Sequence, residues 1–278
     1  MSTPTWFITG CSTGFGRELA FAVLARGWNV VATARDVTTI QDIAEGSPER
    51  ALLLPLDVTD EVRVTEAIAD AVTRFGAVDV LVNNAGYGYR AAIEEGDAGD
   101  VAKLFATNVF GPVSLIKAVL PGMRARRSGA VVNLSSAAGV RSAAGSGYYA
   151  ATKFALEGLS DALRKEVASL GIKVMVVEPG PFRTDFAGRS LQQSLTEIPD
   201  YAATAGARRK GKDHSDGNQP GDPARAAELI ISILQVAQPP FRLVLGNRAL
   251  AVIRNELHER LAEISLWEDE SRTADFAS

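Results

Sequence analysis

The feature of this chain that most restricts its fold is an apolar strand running through a glycine-rich turn into an amphipathic helix. Residues 5–9 (TWFIT) have the β-branched and aromatic character of a strand. Residues 10–16 (GCSTGFG) follow, and apolar residues then recur at helical spacing from residue 19 to residue 24. Glycine lets a backbone approach a pyrophosphate closely, and a helix N-terminus offers free N–H groups. The pattern predicts a dinucleotide-binding turn, and a glycine-rich turn without a ligand is the alternative.

Strand-like and helix-like segments alternate along most of the remaining chain. Apolar runs predict further strands at residues 29–34, 51–56, 78–82, 130–134, 172–177 and 241–245. Helical periodicity predicts helices at residues 60–75, 97–126, 148–170, 223–235 and 248–267. Such alternation is typical of a parallel sheet covered by helices on both faces. The predicted fold class is therefore α/β, a Rossmann-type doubly wound and mainly parallel sheet of about seven strands.

We expect a single domain over residues 1–278, because no repeat or shift of composition marks a boundary. Residues 186–223 are polar and interrupt the alternation, which favours a mobile substrate lid over a solvated loop. Within them, the basic run at residues 208–212 (RRKGK) fits a solvated loop better than a site that attracts an acidic substrate. Residues 248–267 are predicted to form a C-terminal helical extension.

Charge and composition exclude several classes of function. A net charge of −4 gives no reason to expect nucleic acid or an anionic membrane as a partner. The single cysteine, Cys11, cannot form an intrachain disulfide, and we interpret it as a small filler of the turn. His214 and His258 lie far apart in the sequence, so no metal site is expected. We expect no membrane span, because no apolar run is long enough to cross a bilayer, and no signal peptide, because a strand begins near residue 5. The single cysteine favours a reducing compartment, so we expect a cytoplasmic location.

A phenol and an ammonium stand four residues apart at Tyr149 and Lys153. On a helix this spacing places both side chains on one face, about 5–6 Å apart at Cβ. A free tyrosine titrates near ~10, and a nearby positive charge is expected to lower that pKa. A tyrosine tuned in this way can protonate an alkoxide or deprotonate an alcohol. The spacing arises often by chance, so its weight depends on the motifs around it.

Together with those motifs, the chain resembles the classical short-chain dehydrogenases/reductases. The family's T-G-x-x-x-G-x-G loop matches residues 9–16, and its N-N-A-G segment matches residues 83–86. Its helix asparagine matches Asn108, its Y-x-x-x-K pair matches residues 149–153, and its P-G-x-x-x-T turn matches residues 179–184. The motifs occur in the family's order and at the family's spacing, which makes the combination specific.

The resemblance, which covers roughly residues 5–186, implies the site residues. The family places its catalytic serine thirteen residues before the tyrosine, which selects Ser136 over Ser135. The spacing to the lysine selects Tyr149, and we interpret Tyr148 as a packing or pocket residue. The implied catalytic residues are Asn108, Ser136, Tyr149 and Lys153. The implied cofactor-binding residues are Gly10, Ser12, Thr13, Gly14, Phe15, Gly16, Arg35, Asp57, Val58, Asn84, Ala85, Gly86, Tyr149, Lys153, Pro179, Gly180, Phe182 and Thr184.

The family's chemistry implies a role for each catalytic residue. In the family, hydride passes between nicotinamide C4 and a carbonyl or alcohol carbon, and Tyr149 would supply the proton. Ser136 would hydrogen-bond the reacting oxygen, as an oxyanion-type contribution. Lys153 would bind the nicotinamide ribose and lower the pKa of the tyrosine. Asn108 would position a water that links Lys153 to solvent.

The end of the second predicted strand bears on the choice between NADH and NADPH. An acidic residue there binds the ribose 2′-OH and repels a 2′-phosphate, and the corresponding residue in this chain is Ala34. The next residue, Arg35, matches the basic position of NADP-preferring members, and a guanidinium pairs well with phosphate. Asp36 could neutralise Arg35 or contact the ribose, and Arg35 could also be a solvated surface residue. We predict NADP(H), with NAD(H) as the alternative.

The predicted function is the NADP(H)-dependent interconversion of a ketone or aldehyde and an alcohol. The predicted substrate pocket comprises Ser136, Tyr149, Tyr87, Val140, Phe182 and Phe186. Its apolar character suggests a lipophilic carbonyl or secondary alcohol. The alternatives are a catalytically silent nucleotide-binding regulator and an epimerase or dehydratase of the family's extended branch. A homodimer or homotetramer joined through helices 97–126 and 148–170 is expected from the resemblance.

Overall fold

Most strands of the molecule belong to one central sheet. The structure, a computed structural model, describes residues 3–186, 188–210 and 217–276. The strands are β1 Thr5–Ile8, β2 Asn29–Ala34, β3 Ala51–Pro55, β4 Val80–Asn83, β5 Gly88–Arg90, β6 Gly129–Leu134, β7 Ile172–Pro179, β8 Leu191–Gln193 and β9 Arg242–Leu245. Seven of them form one parallel sheet in the order β3-β2-β1-β4-β6-β7-β9. The predicted doubly wound sheet of about seven strands is therefore confirmed.

Helices cover both faces of this sheet. They are α1 Gly14–Ala25, α2 Glu61–Phe75, α3 Ala98–Phe105, α4 Gly111–Arg126, α5 Gly147–Val167, α6 Ala207–Lys210, α7 Pro223–Leu234, α8 Asn247–Leu266 and α9 Glu268–Arg272. Short 3₁₀ segments occur at Val37–Ala44, Ile93–Glu95, Ala137–Gly139, Ala168–Leu170 and Pro199–Tyr201, and π-helical turns at Ala106–Phe110 and Ala202–Gly206.

Local sequence signals explain where α2 begins and ends. The Asp60 carboxylate accepts hydrogen bonds from the backbone N–H groups of Val62 and Arg63, as an N-cap does. Gly76 ends the helix at φ 85°, a left-handed conformation that favours glycine. The predicted helix at residues 60–75 therefore differs from the structure only by its capping residue.

Two apolar cores lie on opposite faces of the sheet, because successive residues of a strand point to opposite sides. Ile8 belongs to the core beneath α1 and α7, where Leu19 and Ile230 are buried. Phe7 belongs to the core beneath α2, α4 and α5, where Leu115 is buried. The strand order reverses between β1 and β4, and ligands in such sheets bind beyond the carboxyl ends of the strands at that point.

The long helix predicted at residues 97–126 is interrupted. The π-helical turn Ala106–Phe110 separates α3 from α4, and Asn108 lies within it. The helical stretch Ala98–Arg126 is long and apolar enough to span a membrane by length and composition alone, a test that the core helix of a soluble protein also passes. Leu115, Val119 and Met123 of α4 are buried in the apolar core described above, which accounts for that composition.

The segment at residues 186–223 has more structure than its sequence suggested. β8 pairs in parallel with β5, outside the main sheet. The Arg209 guanidinium makes two hydrogen bonds to the buried carboxylate of Glu95, and Ser194 and Ile198 also hydrogen-bond to Glu95. The interpretation of residues 208–212 as a solvated loop is thus wrong for Arg209, because a buried carboxylate draws its side chain inward. Residues 211 and 212 of that run lie outside the described part, and so does His214.

Candidate active site

A cleft of about 1280 Å³ opens at the carboxyl ends of β1, β4, β6 and β7. Most of the predicted site residues line it, and three do not: Gly16, Asn108 and Val140. The predicted residues on its walls are Gly10, Ser12, Thr13, Gly14, Phe15, Arg35, Asp57, Val58, Asn84, Ala85, Gly86, Tyr87, Ser136, Tyr149, Lys153, Pro179, Gly180, Phe182, Thr184 and Phe186. Segments that are far apart in the chain therefore meet at one edge of the sheet.

The glycine-rich turn forms a cradle for an anion at the start of α1. Gly10 and Gly14 have φ values of 70° and 60°, and a Cβ on Gly10 would lie 2.9 Å from the Ala85 backbone. Thr13 occupies the N-cap position, but its side chain makes no capping hydrogen bond, and the first turn of α1 carries no acidic residue. The N–H groups of this turn can therefore bind a pyrophosphate, and the residues fit the dinucleotide that the sequence predicts.

Gly16 packs against Asn84 and Gly10 and does not line the cleft. A Cβ at this position would lie 2.5 Å from both the Asn84 side chain and the Gly10 carbonyl oxygen. Asn84 Nδ2 donates to the carbonyl oxygens of Thr9 and Gly10 at 2.8 and 3.0 Å, which ties the turn to the end of β4. Gly16 therefore supports the cradle from behind by allowing this close approach.

Cys11 is fully buried behind the same turn, and its thiol donates to the Ile8 carbonyl oxygen at 3.2 Å. Burial raises the pKa of the thiol to about 12. Because a thiolate is the reactive form of cysteine, this side chain fills space and is not a nucleophile, in agreement with the sequence interpretation.

Tyr149 and Lys153 lie one turn apart on α5 and face the cleft together. The Lys153 Nζ is 5.8 Å from the centre of the Tyr149 ring and donates to the Leu134 carbonyl oxygen at 2.8 Å. Lys153 is 6% exposed. Burial lowers the pKa of its ammonium to about 8, and the negative charge of Glu157 partly opposes this.

The pKa of Tyr149 departs from the sequence expectation. Burial raises it to about 12, and a side-chain hydrogen bond with Ser136 only partly offsets that effect. The expected lowering by Lys153 is not found, because loss of water around the phenol outweighs other influences. The phenol is therefore in its protonated form at neutral pH, ready to act as a proton donor.

The side chains of Ser136 and Ser135, at the end of β6, have different surroundings. Ser136 Oγ accepts from the Ala138 N–H at 3.1 Å, lines the cleft and hydrogen-bonds Tyr149. Ser135 Oγ is buried on the side of Gly139 and lacks a hydrogen-bond partner among the described residues. The choice of Ser136 from its spacing thus agrees with its position beside the phenol.

Asn108 lies behind the cleft wall and is buried. Its Oδ1 accepts from the Tyr87 N–H at 3.1 Å, and its Nδ2 donates to the Tyr87 carbonyl oxygen at 2.9 Å and to Thr152 Oγ1 at 3.2 Å. These bonds fix the segment after β4 against α5, so Asn108 positions the wall of the cleft. The water relay that the resemblance implies for Asn108 stays a prediction.

At the adenosine end of the cleft, Arg35 is exposed, and the Asp36 carboxylate is hydrogen-bonded to Thr38. The Asp36 carboxylate accepts from the N–H and hydroxyl of Thr38 at 3.0 and 2.7 Å, and these bonds lower its pKa. No ion pair between Arg35 and Asp36 occurs in the described residues. Asp57 similarly accepts from the N–H and hydroxyl of Thr59. The Arg35 guanidinium is therefore available to a ligand.

The predicted substrate residues separate into two groups. The Phe186 ring lies 5.5 Å from the Tyr149 ring, and Tyr87 also lines the cleft. Phe182 packs against Phe15 with ring centres 5.0 Å apart, so it supports the cofactor end. Val140 lies outside the cleft, because the 3₁₀ turn before it directs the chain towards α8, where Arg260 donates to the Val140 carbonyl oxygen.

The Tyr148 side chain has a packing position. Its hydroxyl donates to the Ile93 carbonyl oxygen at 2.6 Å, and its ring meets the Tyr89 ring edge-on at 6.2 Å. Tyr148 is not among the residues that line the cleft.

Sequence reasoning missed a buried charged cluster behind Lys153. Glu157 and Glu178 are buried, and Arg242 Nε lies 3.1 Å from Glu157 Oε2 and 3.4 Å from Glu178 Oε1. The spacing of four residues from Lys153 to Glu157 on one helix was a signal for the influence of Glu157 on Lys153. No pattern in the sequence connects Glu157 to Glu178 and Arg242, which lie on three different elements.

Comparisons with known proteins agree with this geometry. Residues 4–194 match the family model described as short chain dehydrogenase. Oxidoreductase BOA17 of Botryotinia fuckeliana is 38% identical over 271 residues, which are 95% of this chain and 98% of the relative. The 3-ketodihydrosphingosine reductase of Bacteroides thetaiotaomicron is 36% identical over 240 residues, 86% of each chain. A solved short-chain dehydrogenase from Streptomyces avermitilis is 45% identical, with a TM-score of 0.93 and 99% of each chain covered.

The sheet order, the anion cradle at α1 and the sequence matches lead to the same assignment. The chain belongs to the short-chain dehydrogenase/reductase family and is an oxidoreductase that acts on CH–OH or C=O groups with NAD(P).

Proposed function

We propose that this enzyme uses NADP(H) to interconvert a ketone or aldehyde and an alcohol, with Tyr149 as the general acid and base. The observation that carries the proposal is the protonated phenol of Tyr149 beside Ser136 and Lys153 in one cleft. A proton donor within reach of a carbonyl oxygen lowers the barrier to its reduction.

The described side chains suit successive parts of the reaction. Ser136 can donate a hydrogen bond to the substrate oxygen and hold it near the phenol. The hydride is exchanged with the nicotinamide when that cofactor is bound. As negative charge grows on the substrate oxygen, Tyr149 transfers its proton there. The Lys153 ammonium, held by the Leu134 carbonyl oxygen, stabilises the phenolate that remains.

Arg35 supports the choice of NADP(H). Its guanidinium lies at the end of β2, where Ala34 takes the place of an acidic residue, and Asp36 is bound to Thr38. An unpaired guanidinium favours a 2′-phosphate over a free hydroxyl.

An apolar substrate fits the wall formed by Phe186 and Tyr149. One relative is named 3-ketodihydrosphingosine reductase, and this name supports a ketone as the substrate class. We further propose a cytoplasmic enzyme and a homodimer or homotetramer. Phe110, beside α4, and Leu159 on α5 are exposed and offer apolar surface for such contacts.

The proposal is tested by NADPH consumption with a panel of aliphatic and aromatic ketones and aldehydes. Tyr149→Phe should abolish turnover while it leaves NADPH binding, measured by nucleotide fluorescence, largely intact. Tyr148→Phe is the matched control, because it removes a hydroxyl from the neighbouring tyrosine that packs outside the cleft. Retained carbonyl reduction by Tyr149→Phe would contradict the mechanism. NADPH binding without turnover of any carbonyl or alcohol would favour the regulator or the epimerase or dehydratase instead.

A further inference from the structure

The cleft is strongly basic, although the chain as a whole has a net charge of −4. Among the residues that the structure describes, eight arginine and lysine side chains line it, against one acidic side chain, that of Asp57. A bound NADP(H) is itself anionic, so part of this charge belongs with the cofactor. The positions of the individual side chains show which part does not.

Most of the basic side chains have a partner or lie at the cofactor end. Lys103, Arg141 and Arg189 are within ion-pair distance of Asp100, Glu256 and Asp185. Three more, Arg35, Lys153 and Arg248, lie near predicted cofactor-binding residues. Arg248 belongs here because the next residue, Ala249, packs against Gly180.

Arg90 and Arg208 remain, and both line the cleft near the start of α5. Arg90 Nη1 donates to the Arg208 carbonyl oxygen at 2.7 Å, and Arg208 Nε donates to Ser146 Oγ at 2.8 Å. Ser146 is the N-cap of α5, so these contacts place Arg208 within one helical turn of Tyr149. Neither guanidinium forms an ion pair within the described part of the chain.

The positive charges of Arg90 and Arg208 interact unfavourably. Burial lowers the pKa of Arg90, and the positive charge of Arg208 lowers it further. The charge of Arg208 therefore disfavours the charge of the half-buried Arg90, and an anion bound by both guanidinium groups would offset that effect. Arg208 is an exposed residue that lines the cleft, and its bond to Ser146 holds it three residues before Tyr149 along α5.

We propose that the substrate carries a carboxylate, which Arg90 and Arg208 bind while its carbonyl or alcohol group lies at Tyr149. This inference rests on the proposed function and adds a substrate class to it: an oxo or hydroxy acid with an apolar body. The body contacts the wall of the cleft at Phe186, between the two polar ends. A carboxylate suits the site because its two oxygens match the planar donors of a guanidinium.

The test compares oxo acids with their methyl esters, which keep the carbonyl but lose the charge. The probes are 4-oxopentanoate, 6-oxoheptanoate and 8-oxononanoate, each with its ester, and the readout is kcat/KM with NADPH. For at least one chain length the acid should exceed its ester about tenfold or more, as a charge-assisted hydrogen bond allows. At saturating NADPH, raising the salt concentration should reduce kcat/KM for the acid much more than kcat/KM for the ester.

Variants locate the effect. Arg208→Gln and Arg90→Gln should each remove most of the preference for the acid, mainly through KM, while kcat/KM for the ester stays near that of the wild type. Arg189→Gln is the matched control, because this cleft arginine is already neutralised by Asp185. Equal rates for acid and ester, or an acid preference that survives both substitutions, would overturn the inference and leave the proposed function standing. Reduction of neither acids, esters nor simple ketones would instead contradict the proposed function, and the inference with it.

Discussion

Glu157 and Glu178 share a single guanidinium, that of Arg242, directly behind the active-site lysine. Arg242 Nε is 3.1 Å from Glu157 Oε2 and 3.4 Å from Glu178 Oε1. One oxygen of each carboxyl group is buried without a hydrogen-bond partner in the described residues. Two carboxylates so close to each other and to one cation cannot both ionise easily, so the pair holds a proton more tightly than either would alone.

The stability of the protein should therefore depend on Glu178 in a definite pH range. Burial raises the pKa of Glu178 from 4.5 to about 7, and the charge of Glu157 adds to the effect. A carboxyl group whose pKa rises on folding stabilises the folded state below its unfolded pKa, and this stabilisation is lost as the pH rises through about 7. The glutamine of Glu178→Gln stays neutral at every pH. The Tm of this variant relative to that of the wild type should therefore increase between about pH 5 and about pH 8.

Differential scanning fluorimetry across this range measures the effect. Glu263→Gln, an exposed position on α8, is the control and should follow the wild type. A difference in Tm between Glu178→Gln and the wild type that stays constant with pH would contradict the proposed proton sharing.

The pH dependence of reduction should report Lys153. Its pKa lies at about 8 in the folded protein, so the ammonium loses its charge as the pH rises through that value. The phenol of Tyr149, with a pKa of about 12, stays protonated over the same range. We expect kcat/KM for carbonyl reduction to fall above about pH 8, because the phenolate formed in the reaction loses its cation.

Replacement of Glu157 should change the pH at which kcat/KM for reduction falls. Its negative charge raises the pKa of Lys153, so Glu157→Gln should shift the descending limb of the pH profile to lower pH. Glu166→Gln, an exposed position on the same helix, should leave the profile unchanged. An unshifted limb in Glu157→Gln would show that the limb belongs to another group.

Arg35 should determine the cofactor preference. Arg35→Gln removes the guanidinium available to a 2′-phosphate, so kcat/KM for NADPH should fall about tenfold or more. The value for NADH should change little, since NADH lacks that phosphate. Arg63→Gln on α2 is the control, as this arginine is paired with Glu66. An equal loss with both cofactors would mean that Arg35 supports the fold or the common part of the nucleotide.

Asn108 should contribute to stability through its bonds to Tyr87. Asn108→Ala leaves the Tyr87 N–H and carbonyl oxygen without their side-chain partner, at a cost of about 1–3 kcal/mol in the free energy of unfolding. Urea denaturation measures it. Asn29→Ala, which loses one long 3.4 Å bond to Thr5, should cost much less. Equal stability of Asn108→Ala and the wild type would show that water replaces the side chain.

The Glu95–Arg209 pair should hold residues 188–210 on the rest of the protein. The Glu95 side chain is 0% exposed and that of Arg209 is 6% exposed. Arg209→Leu leaves a buried carboxylate without its cation, which costs about 3–5 kcal/mol. The double variant Glu95→Leu with Arg209→Leu should be less destabilised than Arg209→Leu alone, because it leaves no buried charge. Chemical denaturation of the four proteins of this cycle gives the coupling, and additive effects would contradict it.

Much of this molecule could be predicted from local sequence patterns. Strand and helix periods predicted the parallel sheet, since those periods are set by the backbone itself. The spacing of Tyr149 and Lys153 predicted a shared helix face, and the thirteen-residue spacing identified Ser136 beside them. The structure of residues 188–210 was harder to predict, because their contacts are made with Glu95, which lies about a hundred residues earlier.

The sequence by itself thus determined the fold class, the family and many of the side chains that line the cleft. Tertiary structure alone decided their electrostatics. Burial, which no spacing encodes, raises the pKa of Tyr149 where its neighbour Lys153 was expected to lower it. The pairing of Arg90 with Arg208 likewise depends on β5 and the segment after β8 packing at the N-terminus of α5. Local patterns specify which face a residue occupies, whereas desolvation and contacts between distant segments exist only in the folded chain.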